Sequence, residues 1–198
     1  MKLRYSSELI RSMNYLGEKR NTIFLGQSVK FSGNAMYNTL TGVPNKKKIE
    51  LPVFEDNQMG MSIGLAINGF VPITCYPRFD FLLLAMNQLV NHLDKLNIMT
   101  NDHYKSKAII RTSIGSDSPL NPNVQHLGDF TSSVAKMCKN LNIVKLNEPN
   151  LVFKEYKKCS KHSCCKRHQT LFEFSSQCLN DRYYKSRGKC HRYRRGVY

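Results

Sequence analysis

The chain of 198 residues is 41% hydrophobic, enough to bury a sizeable core in one domain with room for an appendage. Its net charge of +16 is uneven: residues 1–153 hold 17 basic and 11 acidic side chains, whereas 154–198 hold 13 and 3. No apolar run could span a bilayer, the longest being 79–86 with Asp80 inside it, and the amino-terminal stretch lacks the apolar core of a signal peptide.

The expectation is therefore a chain without membrane attachment, cytoplasmic or, in a eukaryote, in a mitochondrial or plastid matrix, with its cysteines reduced. In chain order, Ser6 or Ser7 can cap a helix whose apolar face is Leu9, Ile10, Met13 and Leu16. Thr22 to Leu25 reads as a short buried strand ending at Gly26-Gln27. Residues 30–48 read as loop, broken by Gly33, Asn34, Gly42, Pro44 and Asn45.

The stretch that organises the rest is 51–76. A β-prone run (Leu51, Val53, Phe54) meets the acidic pair Glu55-Asp56, then a helix of small residues (Gly60, Ser62, Gly64, Ala66), then a second strand from Val71 to Tyr76. This is the pattern of a βαβ unit, and a carboxylate where strand gives way to helix lies at the carboxyl edge, where open α/β sheets bind ligands. Beyond it the pattern predicts a helix from Phe81 to Leu96, a strand from Ala108 to Thr112 and a long loop over 113–126. A helix from Thr131 to Lys139 and a strand from Asn142 to Leu146 complete the series. Strands alternating with helices predict an α/β fold, a mostly parallel sheet with helices on both faces.

Five blocks in this order resemble a known family: Phe24-Leu25-Gly26; LPVFEDNQMGMSIGLAINGFVPI from Leu51; RFDF from Arg78 with AMNQLVN from Ala85; IIRTSIG from Ile109; and VQH from Val124 with LNIVKLNEP from Leu141. From Thr22 to Pro149 the chain resembles the pyrimidine-binding domain of the thiamine-diphosphate transketolase superfamily. The resemblance is strongest to the beta subunit of the decarboxylating component of 2-oxo acid dehydrogenases, of the pyruvate dehydrogenase type.

That resemblance implies a cofactor, thiamine diphosphate, whose aminopyrimidine needs a carboxylate on the ring nitrogen remote from its amino group. Glu55 matches the family's glutamate for this role, Phe81 the aromatic ring that stacks on the pyrimidine, and His126 the histidine that faces the substrate. Locally, Glu55 reads more readily as a solvated loop acid, Phe81 as core and His126 as an exposed loop residue; the flanking blocks reverse this for Glu55 and bring the functional role of His126 level with the bland one.

There are departures. Gln27 stands where many relatives carry an acid, Asn87 where they carry Asp, and Pro77-Arg78 replaces a more neutral segment. The Gly-Asp-Gly motif and Asn ligand that hold the diphosphate through a divalent metal are not found, Leu127-Gly128-Asp129-Phe130 being only a fragment. The resemblance thus implies an alpha-type partner subunit supplying magnesium and diphosphate contacts, a homo- or hetero-oligomer, and a 2-oxo acid substrate.

Domain limits follow: 1–177, ending with a last strand at Thr170–Ser175, and a basic Cys/Arg/Tyr tail over 178–198 expected to be disordered. Cys159, Cys164, Cys165, Cys178 and Cys190 with His162, His168 and His191 have poor zinc spacing, so no metal site is expected. Interleaved Arg and Tyr in the tail would suit nucleic acid, but the degenerate end of a truncated frame is the favoured reading, and no nucleic-acid partner is expected. The alternative function is a truncated, non-catalytic relic serving as a basic binding or regulatory module.

Overall fold

Leu9, Met13 and Leu16, spaced three and four apart, turn one fully buried stripe of helix α1 (Tyr5–Gly17) onto the sheet. The helix starts ahead of the expected serine caps: Arg4 occupies the cap position without a side-chain bond, and the Tyr5 hydroxyl donates to the Leu146 carbonyl at 2.9 Å. The computed structural model describes residues 4–104, 107–115 and 121–160, together with the backbone of a strand at 169–175. The tail expected to be disordered, 178–198, lies outside the described residues, as do Cys164, Cys165, His162 and His168.

Strand β1 (Thr22–Gly26) follows as expected. The stretch read as loop contains a one-turn helix, α2 (Ala35–Asn38), because the Asn34 carboxamide accepts from the Tyr37 amide at 2.7 Å and caps it. A 3₁₀ turn at Asn45–Lys47 then leads into β2 (Lys48–Glu50).

Here the strand before the acidic pair differs from expectation. β2 ends at Glu50; Leu51 adds one bond to the Gly26 carbonyl (3.1 Å), and Pro52, lacking an amide hydrogen, stops the ladder. Val53 and Phe54 are exposed. Helix α3 (Glu55–Ile67) and strand β3 (Val71–Cys75) close the unit, but β2 and β3 do not touch, since β1 lies between them.

The helix expected over 81–96 is broken. It runs as α4 (Phe79–Leu82), a 3₁₀ turn (Leu83–Ala85) and a π-helical segment (Gln88–Leu93), with α5 (Leu96–Met99) after a turn. Then come β4 (Ala108–Ile114), a 3₁₀ turn at Val124–His126, α6 (Thr131–Met137), β5 (Leu141–Leu146), α7 (Pro149–Ser160) and β6 (Gln169–Ser175).

Helix α7 was not expected. Its signals are Pro149 at the first helical position and buried Val152 and Tyr156 four apart, in a lysine-rich stretch for which no element was expected. The expected last strand is β6, which enters between β4 and β5.

All pairings are parallel and the sheet order is β2-β1-β3-β4-β6-β5. Alternate residues of the strands face opposite cores. Ile73, Cys75 and Ile109 join α1 and α7 on one face, while Ala108, Ile110 and Ile114 join α3, α4 and α6 on the other. Arg111, fully buried on β4, donates from Nη2 to the Thr39 hydroxyl at 2.7 Å. Burial pushes the neighbouring Cys75 thiol up to about 11, against the pull of the Arg111 charge.

On the second face one carboxylate fastens helix to sheet. Asp94, buried just after the π-helical segment, accepts from the amides of Lys139 (3.3 Å), Asn140 (2.8 Å) and Leu141 (3.0 Å) and from the Asn140 carboxamide (3.3 Å).

Candidate functional site

Three strands of a parallel sheet end on the same edge, and each is followed by one of the residues singled out above. Glu55 opens α3 just after β2, Phe81 lies in α4 after β3, and His126 lies in the 3₁₀ turn reached from β4. The carboxyl edge of the sheet thus collects all three.

Glu55 is 7% exposed, so it is not a solvated loop acid. Its carbonyl accepts from the Tyr76 hydroxyl at 3.3 Å. Burial drives the Tyr76 phenol far above its ordinary value; a hydrogen bond with Thr74 opposes this, and the charges of Glu55 and Asp56 add to it. One turn into α3, buried Gln58 donates to the Thr74 hydroxyl (2.8 Å) and the Cys75 carbonyl (3.1 Å), locking the helix start to the end of β3. The sequence reading missed Gln58; its signal was the three-residue spacing from Glu55, which puts both on one helical face.

The floor beside it is closed by Gly26 at the end of β1. Its φ of +144° and a Cβ that would lie 2.3 Å from the Cys75 carbonyl oxygen leave room for glycine alone. The following turn wraps its amides round one carboxylate: Ser28, Val29 and Lys30 donate to Glu50 at 2.6, 2.8 and 2.7 Å.

Phe81 and His126 touch edge to face, ring centroids 5.5 Å apart at 83°. Their loop is held by the two preceding residues of α4. The Asp80 carboxylate accepts from the Gly128 amide at 3.3 Å, and Phe79 meets Phe130 edge to face at 5.4 Å. Gly115, at the exit of β4, lies against the His126 carbonyl so closely that a Cβ would sit 1.6 Å from the oxygen.

Nδ1 of His126 is buried with no hydrogen-bond partner among the described residues. Glu55 shares no hydrogen bond or ring contact with the Phe81–His126 pair among the described residues. Phe79 and Tyr76 are core residues, fully buried.

Apolar side chains stand exposed beside each of the three: Phe54 (61%) before Glu55, Leu84 (64%) after Phe81, and Val124 (80%) before His126. Among the described residues no cluster of three or more His, Cys, Asp or Glu side chains could hold a metal ion. Nor is any described helix long and apolar enough to cross a membrane.

No protein-family model matches the chain. Curated relatives do. The beta subunit of the pyruvate dehydrogenase E1 component of Chaetosphaeridium globosum is 30% identical over 119 residues, 58% of this chain and 36% of the relative. That of Chlorokybus atmophyticus is 26% identical over 137 residues, 67% of this chain and 39% of the relative. The chain therefore spans little more than a third of the length of these relatives.

Among solved structures, a split-gene transketolase in an inactive beta4 tetramer superposes with a TM-score of 0.65 at 13% identity, over 88% of this chain and 52% of that one. The fold is thus of the transketolase-like class. Within that class the chain carries a domain related to the beta subunit of pyruvate dehydrogenase E1.

Proposed function

We propose that the chain acts as a beta-type subunit of a thiamine-diphosphate enzyme, presenting the carboxyl edge of its sheet to the cofactor's aminopyrimidine. The observation that carries this reading is the gathering of buried Glu55, the Phe81–His126 ring pair and the unpartnered His126 Nδ1 at one sheet edge. A carboxylate, an aromatic face and an open imidazole nitrogen are the donor set an aminopyrimidine calls for, so the residues fit the group.

When bound, thiamine diphosphate would supply a nucleophilic carbon for chemistry on a 2-oxo acid. Glu55 would hydrogen-bond the ring nitrogen remote from the amino group and hold the proton there. Phe81 would stack on the ring and exclude water, and His126 Nδ1 would serve the substrate side by accepting or donating one hydrogen bond.

Diphosphate and magnesium are assigned to an alpha-type partner, and the exposed Phe54, Leu84 and Val124 give that partner an apolar rim on which to close. Because the chain covers only part of its relatives, the 2-oxo acid decarboxylation of a full complex belongs to the assembled pair.

Calorimetry of this chain with and without an alpha-type subunit, titrated with thiamine diphosphate and magnesium, tests the reading. Binding by the pair and loss of turnover in Glu55→Gln, with assembly retained, are expected. Turnover that survives Glu55→Gln would remove Glu55 from the role.

A further inference from the structure

One cation at the candidate edge has no role so far. Arg78 lies just past the end of β3, at the cap position of α4. A cap position favours a side chain that accepts a hydrogen bond, and a guanidinium only donates, so the local structure does not call for arginine there. Its side chain makes no cap bond; the residue's carbonyl accepts from the Phe81 amide at 3.2 Å. Arg78 and Phe81 are therefore neighbours across the first helical turn, and the Phe81 ring meets that of His126.

The position is pinned to the sheet. The Tyr76 amide donates to the Arg111 carbonyl at 2.8 Å and the Ser113 hydroxyl to the Pro77 carbonyl, so both residues before Arg78 are tied to β4. Arg78 is half-buried, yet among the described residues its side chain makes no ion pair, hydrogen bond or ring contact.

The carboxylates around it are engaged elsewhere. Glu50 accepts from three amides, Asp56 from the Gln88 carboxamide at 3.5 Å, Asp80 from the Gly128 amide and Asp129 from Lys145. Glu55 is the one assigned to the cofactor. A cation that loses hydration without gaining a counter-charge is unfavourable, and an anion arriving with the substrate would complete the edge.

We propose that Arg78 selects the substrate by binding a second carboxylate at the far end of its acyl chain, so that the site takes a 2-oxo dicarboxylic acid in preference to one with an uncharged chain. This rests on the thiamine-diphosphate reading above. The guanidinium fork matches a carboxylate with two parallel hydrogen bonds. The far carboxylate is the one bound, because the 2-oxo carboxylate leaves as neutral carbon dioxide. A cation on the leaving group would stabilise the ground state more than the transition state and slow the reaction.

The test uses the pair reconstituted with an alpha-type subunit. Thiamine diphosphate and magnesium binding is measured first by calorimetry, then kcat/KM for 2-oxoglutarate and for 2-oxopentanoate, which has the same carbon chain without the second carboxylate. The wild type should prefer 2-oxoglutarate. Arg78→Gln, checked for an unchanged melting temperature, should lower the ratio of the two kcat/KM values by about ten-fold or more, the low end for a hydrogen bond between charged groups, chiefly by raising KM for 2-oxoglutarate. Arg78→Lys should restore part of the ratio, as a point charge without the fork. Glutarate, which has no 2-oxo group to react, should bind the cofactor-loaded wild-type pair in calorimetry and bind Arg78→Gln more weakly.

A wild-type preference for 2-oxopentanoate would overturn the proposal without any variant, and so would an unchanged ratio in folded Arg78→Gln. Weaker thiamine diphosphate binding in Arg78→Gln would give the cation to the cofactor's diphosphate. Weaker subunit assembly with an unchanged ratio would give it to an acid on the partner, and tighter binding of glycerol 3-phosphate than of glutarate would give it to a phosphate; each of these overturns the carboxylate role. Failure of the wild-type pair to bind thiamine diphosphate would overturn the underlying reading and this inference with it, and is told apart because it precedes any comparison of substrates.

Discussion

The two faces of the sheet are covered in different ways. Under α1 and α7 the cover is regular, with Leu9, Met13, Leu16 and Val152 fully buried on two uninterrupted helices around the buried Arg111 of β4. Over the other face the helical cover is broken between Phe79 and Met99 into α, 3₁₀ and π segments, and polar contacts join it to the loops around it: Asp94 to the start of β5, Asp80 to Gly128. π-helical insertions recur at functional sites because an extra residue in a turn re-aims side chains. Both faces are close-packed, and what sets the second apart is the set of directional bonds that position a loop over it.

Core truncation should separate them most. Leu16→Ala removes a fully buried side chain and should cost about 3 kcal/mol in denaturant unfolding. Leu84→Ala, on the exposed rim of the other face, should stay within about 0.5 kcal/mol yet weaken partner assembly. Equal costs would erase the distinction.

Asp94→Ala comes next. It strands three buried or half-buried amides, and the loss should be about 2 kcal/mol, with Asp94→Asn intermediate because a carboxamide oxygen still accepts. Asp80→Ala should cost less, about 1 kcal/mol, because one 3.3 Å bond is lost and the Phe79–Phe130 contact persists. Its signature is local: hydrogen exchange should quicken at Gly128 and in its loop and stay unchanged in α1. Faster exchange in both would mean that the faces unfold together.

How much of this was legible in the sequence follows the same division. The regular elements were readable because period and burial agree: the α1 stripe, β1, β3, β4 and β5 were expected with ends near those observed. The fold class was readable from their alternation. The strand before α3 was misplaced because Leu51, Val53 and Phe54 have β propensity but are interrupted by Pro52, and exposure, not pairing, is their fate.

The broken helix was unreadable because nothing in Phe79 to Met99 marks a π turn, and α7 was hidden by its own lysines. The site was legible only as a set of candidates. Strand order alone could place Glu55, Phe81 and His126 on one edge. The clamps by Gln58, Asp80 and Gly115 depend on tertiary approach, which no local pattern records.

The smallest expected effect concerns the far end of the same loop. Asp129 accepts from Lys145 Nζ at 2.6 Å and from the Thr131 amide at 3.2 Å. Burial raises its pKa, but the bonds from Lys145 and Thr131 outweigh burial and hold it below the ordinary carboxylate value. A carboxylate depressed in the folded state contributes stability that is present above its unfolded value, about 3.9, and is lost as pH falls through the lower folded value. The tether should therefore be intact at neutral pH and loosen only in acid, and half-exposure of both partners keeps its effect on global stability slight. The Thr131 amide resonance, followed by NMR through an acid titration, should move with a midpoint below that of free aspartate, and Asp129→Asn should abolish the step. A midpoint at or above the free value would mean that Lys145 does not hold the loop, leaving Asp80 and the ring contacts of Phe79 and Phe81 as its anchors.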